Sequence, residues 1–331
     1  MGVVTIAKNN IEIIIIGCGV SGLTTGIRLL ENNFRVKILA YSLPPNTTSD
    51  IAAAYWSPFR VYPEGRVLKW GRYSLVEFMK LSEIHGTGVS IIQLFELYDH
   101  HVEDLWWKNA VNVYRRAMQE ELPPGFFDGY FVDVPLIETP IYMKYLLRRF
   151  SELGGIINNL EERIQSIREV YTINRLIINC SGLGALHLCG DKEVYPIRGQ
   201  IIRVSNPGIR RCYHHESSNK KVTYIVPRSM DCILGGTAEE NNWDTDVDQD
   251  TVNEILKSCQ SIEPRLSEPQ ILEHKVGLRP GRSEVRLEME RVSNNCAVIH
   301  NYGHGGAGFT LSWGCAEEVL ELAQTFTNSL K

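Results

Sequence analysis

At 331 residues, 44% hydrophobic and 22% charged, the chain is long enough to bury a substantial core and has the composition of an ordinary globular protein. A formal net charge of −5 offers no electrostatic reason to bind nucleic acid or an anionic membrane surface. Eight cysteines without a C-x-x-C pair argue against a zinc ribbon or a dithiol redox motif and read as reduced thiols.

The first apolar run, residues 11–20, is interrupted by Glu12 and is too short to cross a membrane; no targeting pattern is matched, and a cytoplasmic location is expected. Within it, residues 11–16 read as a buried parallel strand. G-C-G-V-S-G follows at once, placing Gly17, Gly19 and Gly22 at the G-x-G-x-x-G spacing around Val20 and Ser21. Leu23, Ile27 and Leu30 recur at helical spacing, Asn32-Asn33 closes the helix, and residues 35–40 read as a second strand. This strand-turn-helix-strand frame predicts dinucleotide binding: Gly17 permits the tight turn, Gly19 lets backbone approach a pyrophosphate, and Gly22 lets the helix lie close to the strand. The acid that usually ends the second strand is absent. Leu39-Ala40-Tyr41-Ser42 stands there, so the ribose contact must come from backbone, Ser42 or water. NAD and FAD share this unit.

Residues 44–56 are polar at first and then small. Thr47, Thr48 and Ser49 offer hydroxyls and N–H groups for phosphate and ribityl oxygens, and Ala52, Ala53 and Ala54 a bare backbone for a flat ring; a surface loop with a short helix suits the pattern equally. Residues from about 81 to 130 read as loop. Thr139-Pro140 opens a helix, with Thr139 as N-cap, a stripe of Tyr142, Leu146 and Phe150, and Gly154-Gly155 as its end. A strand at Ile156-Ile157 follows, then an apolar run from Arg175 that ends in Ser181-Gly182, where a cofactor lying across strand ends would meet Gly182. Residues 200–204, 221–226 and 232–236 read as short strands. Near the end, Ala297, Val298 and Ile299 precede G-H-G-G-A-G at residues 303–308, and a helical pattern follows. Strand, glycine turn and helix gather bare N–H groups where an anion or carbonyl oxygen can sit. The whole reads as an α/β fold: a Rossmann-like cofactor domain built from residues 1–80, 135–195 and 272–331, with a mixed or antiparallel sheet domain inserted as residues 81–134 and 196–271.

Six motifs in order, G-C-G-V-S-G, T-T-S-D-I-A-A-A-Y-W, I-N-C-S-G, Y-I-V-P-R, G-L-R-P-G-R-S-E-V-R-L-E and H-N-Y-G-H-G-G-A-G, resemble the D-amino-acid oxidase family of FAD-dependent flavoproteins over nearly the whole chain. The resemblance implies an FAD-binding domain, a substrate domain, and an oxidase that transfers hydride from the Cα of a D-amino acid to the flavin, yielding a 2-oxo acid, ammonia and H2O2. It implies that Arg286 grips the substrate carboxylate, although an arginine there also suits a surface pair with Glu284 or Glu288. Tyr224 would assist that clamp, and the Gly306 carbonyl would accept a hydrogen bond from the substrate amine. Gly305, Gly306, Ala307, Gly308, Phe309 and Thr310 would face the flavin, with Ala53 and Ala54 on its reactive side. Thr47, Thr48 and Ser49 would meet the phosphates, and Ile164 the adenine; Gly17, Gly19, Val20, Ser21, Gly22, Ser181 and Gly182 complete the cofactor set.

Tyr55, Ser57 and Val226 would line the substrate pocket, and a second active-site tyrosine of the mammalian enzymes would fall near Lys220, where this chain has none. His300 and His304 read as structural. The implied partners are a D-amino acid and O2, a homodimer is allowed, and no metal, nucleic acid or membrane is called for. G-G-A-G resembles the neutral-substrate branch. A D-aspartate oxidase would need a second cation in the pocket, for which Arg60, Arg66, His214 and His215 are candidates. A glycine or secondary-amine oxidase, a NAD-dependent dehydrogenase and a non-catalytic sensor are the other readings.

Overall fold

In the computed structural model, residues 11–171, 175–218 and 221–330 are described. The β-branched run Glu12–Ile16 can be apolar throughout because it lies between two parallel neighbours and is covered on both faces. The sheet built on it has six strands in the order Arg286–Ser293, Cys296–Tyr302, Leu176–Asn179, Glu12–Ile16, Arg35–Ala40 and Ile156–Asn159. All neighbours are parallel except the first pair, which is antiparallel. Helix Val20–Glu31 follows the glycine turn with Leu23 and Ile27 fully buried, and Asn33, at φ 64°, ends its passage into the second strand. The C-terminal helix Gly308–Asn328 packs against it and against helix Glu64–Ser82, while Thr139–Glu152 packs on its other side. Trp313 ties this layer together by donating from Nε1 to the Tyr142 hydroxyl at 2.9 Å.

The second sheet has ten strands. Eight run in the order Glu239–Glu240, Tyr195–Val204, Cys232–Gly235, Val222–Pro227, Cys212–Glu216, Val89–Tyr98, Asp128–Ile137 and Ala54–Tyr55; Ile271–Gly281 adds to Tyr195–Val204, and Tyr114–Arg116 to Asp128–Ile137. One face is closed by helix Gln249–Ile262, whose Val252, Ile255, Cys259 and Ile262 join Ile202, Ile225, Leu234, Phe95 and Phe131 in a core of their own. The opposite face, carrying Val222 and Tyr224, looks into the cavity described below.

Several expectations need correcting. Residues 81–130 are not simply loop: Val89–Tyr98 is a ten-residue strand paired along its length with Asp128–Ile137. Residues 272–281 belong to the second sheet, from Ile271↔Val204 to Gly281↔Tyr195, so the first sheet resumes only at Arg286. Apolar alternation is the same in both sheets, and only the partner strand decides membership. Glu138, not Thr139, caps helix Thr139–Glu152; Thr139 is its first residue, and its hydroxyl donates to the Ala52 carbonyl at 3.2 Å. None of the eight cysteines is joined in a disulfide. Among the described residues no helix is long and apolar enough to cross a membrane, and no cluster of three or more His, Cys, Asp or Glu side chains is placed to hold a metal.

Candidate active site

A cavity of about 970 Å³ opens where the parallel strands end, between the two sheets. At the turn after the first strand Gly17 adopts φ +109° and donates to the Leu39 carbonyl at 2.9 Å; a Cβ there would meet the Cys180 carbonyl oxygen at 2.4 Å. A Cβ on Gly22 would lie 2.0 Å from the Gly17 carbonyl oxygen, which is the close helix-to-strand approach expected of it. Gly22 therefore shapes the turn but does not line the cavity, whereas Gly17, Gly19, Val20 and Ser21 do.

The polar stretch after the second strand folds onto this turn. The Val20 N–H donates to Ser49 Oγ at 3.0 Å, and Thr47 donates from N and Oγ1 to Asp50 Oδ2 at 2.9 and 2.6 Å, closing the short helix Thr48–Ile51. Thr47, Thr48, Ser49, Ala53 and Ala54 all line the cavity, so this segment is cavity wall, not a surface loop. Asp50, the first acid after the second strand, is spent on that cap. Tyr41 and Ser42 stand at the cavity in place of the missing acid, with the Arg163 guanidinium 5.2 Å over the Tyr41 ring. Ile164, Ser181 and Gly182 also face the cavity.

The C-terminal glycines form the facing wall. Gly305 has φ +53°, donates to the Pro280 carbonyl at 2.9 Å, and would place a Cβ 2.7 Å from the Arg60 carbonyl oxygen. A Cβ on Gly306 would come within 2.7 Å of the Phe59 ring. Thr310, in the first turn of the last helix, locks the two walls: its hydroxyl donates to the Ser57 carbonyl at 2.8 Å and accepts from the Ser57 N–H at 3.1 Å. Gly305, Gly306, Gly308, Phe309 and Thr310 line the cavity; Ala307 does not, because it sits behind them in the core as the helix cap. His304 Nε2 meets Asn301 Oδ1 at 3.0 Å, and burial pushes its pKa down to about 4, which keeps the ring neutral. Buried His300, between Asn179 and Glu290, is lowered by burial and by Arg286. His304 also lines the cavity, whereas His300 does not.

At the second sheet, Glu96, His214, Tyr224 and Gly235 stand directly opposite one another on four successive strands and so share one face. The glycine is required: a Cβ on Gly235 would lie 2.1 Å from Tyr224 Cζ. Beside the phenol is Arg279, which lines the cavity and donates to the Thr237 carbonyl at 2.9 Å; Gly199 leaves room for its guanidinium, since a Cβ there would be 2.3 Å from Nη1. Burial raises the Tyr224 pKa, and Arg279, through its charge and a hydrogen bond, pulls against it. No carboxylate among the described residues lies within ion-pair distance of Arg279.

Arg286, the expected clamp, is elsewhere. It begins the edge strand of the first sheet, where Nε meets Glu288 at 2.7 Å, Nη2 meets Glu290 at 3.3 Å and Nη1 donates to the Tyr302 hydroxyl at 2.8 Å, with Asp191 at 3.6 Å. Four partners consume its donors and it does not reach the cavity. A sequence signal separates the two arginines: Arg286 has acids two and four residues ahead on its own strand face, whereas Arg279 has glycines on either side at that spacing, Gly277 and Gly281. Val226 is also displaced from its expected role, fully buried in the core while Val222, Tyr55 and Ser57 line the cavity. Lys220 lies outside the described residues. Of the four candidate cations, Arg60 pairs with Glu216 at 2.8 Å, Arg66 with Glu318 at 2.6 Å, and His215 with the Leu97 carbonyl at 2.9 Å; His214 alone of the four lines the cavity.

A family model described as FAD dependent oxidoreductase matches residues 12–322. The chain belongs to that family. Among FAD-dependent oxidoreductases, a D-amino-acid oxidase of Rubrobacter xylanophilus is 47% identical over 311 residues, covering 94% of this chain and 95% of its own. The human D-aspartate oxidase is 31% identical over 335 residues, covering 97% and 96%. The solved glycine oxidase of Bacillus cereus superposes with a TM-score of 0.79 at 18% identity, covering 96% of this chain and 95% of its own, which establishes the shared fold. FAD fits the residues present: glycines whose Cβ atoms would collide with neighbouring backbone or side chains, hydroxyls and N–H groups at a helix start, and a long cavity across the strand ends.

Proposed function

We propose that this protein is an FAD-dependent D-amino-acid oxidase in which Arg279, with Tyr224, grips the substrate α-carboxylate. The observation that carries the reading is a guanidinium on the cavity wall, beside a buried phenol and without a carboxylate partner among the described residues, while the other arginine of the same run is consumed by four partners. A guanidinium offers the planar, permanently charged fork that a carboxylate matches. In this reading the Gly306 carbonyl accepts from the substrate amine, and Thr47, Thr48, Ser49 and the start of helix Val20–Glu31 hold the pyrophosphate. Ile164 borders the adenine, and the first turn of the last helix meets the ring. When bound, FAD would supply the two-electron acceptor for the Cα hydrogen, with O2 as the final oxidant, so that a D-amino acid, O2 and water would become a 2-oxo acid, ammonia and H2O2. The chain's own task is orientation and exclusion of water, which needs no strong protein base.

A D-aspartate oxidase is the second reading, supported by one observation: His214 is buried on the cavity wall rather than exposed. The test is anaerobic addition of D-alanine, D-aspartate, glycine and L-alanine in turn while flavin absorbance is followed. Bleaching by D-amino acids alone is the expected result, and a coloured protein bleached by none of them would refute the oxidase reading.

A further inference from the structure

His214 and Glu96 form a buried pair that the reading above does not use. Their relative exposures are 8% and 4%, and His214 Nδ1 lies 2.6 Å from Glu96 Oε2. An ionised carboxylate at that depth is costly unless it is paired. Glu96 has no other side-chain hydrogen-bond partner among the described residues, so Nδ1 keeps its proton to donate to it. The tautomer is thereby fixed, and Nε2 is the nitrogen left to titrate. That nitrogen has no hydrogen-bond partner among the described residues, and the ring lines the cavity. Tyr55 and Phe59 hold the imidazole by edge contacts, with centroids at 6.5 and 5.9 Å.

The pair also stands where a substrate side chain would go. His214 is directly opposite Tyr224 on the neighbouring strand, a spacing of about 5 Å between Cα atoms. A substrate held by its α-carboxylate at Arg279 and Tyr224 would therefore have its side chain within reach of the imidazole. We propose, resting on the oxidase reading above, that His214, positioned by Glu96, is a side-chain subsite: protonated, its Nε2–H donates to the side-chain carboxylate of an acidic D-amino acid, and neutral, it withdraws that preference. The same pocket then serves both branches of the family, acidic substrates at lower pH and neutral ones at higher pH.

The charges around the ring suit this switch. Burial alone would lower the imidazole pKa, but the charge of Glu96 and its hydrogen bond outweigh that, and Glu216 adds to them, so the pKa is raised above its ordinary 6.5. Arg60 opposes the rise, but it is itself paired with Glu216 at 2.8 Å. The other titratable groups around the pair, Tyr55, Tyr98, Tyr224 and Cys212, are raised by burial and stay neutral.

The experiment compares kcat/KM for D-aspartate and its isostere D-asparagine from pH 6 to 9.5, with D-alanine as reference. The two substrates differ in one side-chain charge that does not itself titrate in this range; their α-amino groups do titrate towards its upper end and at different pH, so the wild-type ratio is read relative to that of His214→Gln, which carries the same substrate titration. In the wild type the ratio should fall by roughly tenfold or more as Nε2 loses its proton, because a bare Nε2 cannot donate to a carboxylate and one charge-assisted hydrogen bond is lost. In His214→Gln it should be low and follow only the substrates' own titration, and in Glu96→Gln the fall should move to lower pH. Turnover of D-alanine with a ratio that is flat in the wild type, or that falls identically in His214→Gln, would overturn the subsite and leave the oxidase reading intact. Failure of all three substrates to reduce the flavin would overturn the reading beneath it. Should Glu96→Gln not fold, the wild-type and His214→Gln profiles decide.

Discussion

Replacing Arg279 by alanine removes a guanidinium from the cavity wall while leaving the glycine cradles untouched. Among the described residues it donates to the Thr237 carbonyl and hydrogen-bonds the Tyr224 phenol, so stability should fall by only about 1–2 kcal/mol. Two charge-assisted hydrogen bonds to a carboxylate, at about 1.5–3 kcal/mol each, amount to roughly 3–6 kcal/mol, or about 10²- to 10⁴-fold in kcat/KM. Arg279→Lys should recover only part, because an ammonium cannot present two parallel donors. Arg286→Ala should do the reverse: its loss leaves Asp191, Glu288 and Glu290 short of a cation and lowers stability by about 1–3 kcal/mol, with kcat/KM changed less than about threefold. The assay is rapid-mixing anaerobic reduction of the flavin by D-alanine, with the oxidised spectrum and a thermal melt as controls for folding. A large loss in Arg286→Ala together with near-normal reduction in Arg279→Ala would refute the assignment.

Gly235→Ala places a methyl 2.1 Å from Tyr224 Cζ and must move the phenol, so kcat/KM for D-alanine should drop by about tenfold or more, with flavin content kept. Thr310→Val deletes both bonds to the Ser57 backbone and should cost about 1–3 kcal/mol, read as a lower Tm, with greater loss of flavin on dilution. His304 binds its proton only near pH 4 when folded, against 6.5 unfolded, so between those values the unfolded state holds more protons and stability rises with pH. Over that window the gain should reach roughly 3 kcal/mol, measured as urea midpoints from pH 4 to 7, and His304→Gln should flatten the slope. An unchanged slope would show that the ring is not held neutral.

Legibility in the sequence followed the range of the interactions. The first strand, its glycine turn and the helix after it are set by neighbours within twenty residues, and the structure has them where the pattern put them. The glycines of residues 303–308 were equally readable as backbone under close approach, although the approaching groups, the Arg60 carbonyl and the Phe59 ring, come from far away in the chain. The stretch 44–56 stayed open between loop and cofactor wall because its decisive contact, Val20 to Ser49, spans twenty-nine residues.

The sequence by itself determined the family, the dinucleotide frame and the identity of the wall-forming segments, because each is written in local spacing and in the absence of side chains. Tertiary structure decided which arginine faces the substrate. Arg279 and Arg286 lie in one short run of like composition, but the chain leaves one sheet and enters the other between them, and pairing with Ile197 brings the first beside Tyr224 while pairing with Tyr302 draws the second into acids. Tertiary structure likewise joined Glu96 to His214 across 118 residues. A strand's partner depends on backbone hydrogen bonds that any residue can make, so its choice is encoded by the packing of the whole molecule and not by the strand's own letters.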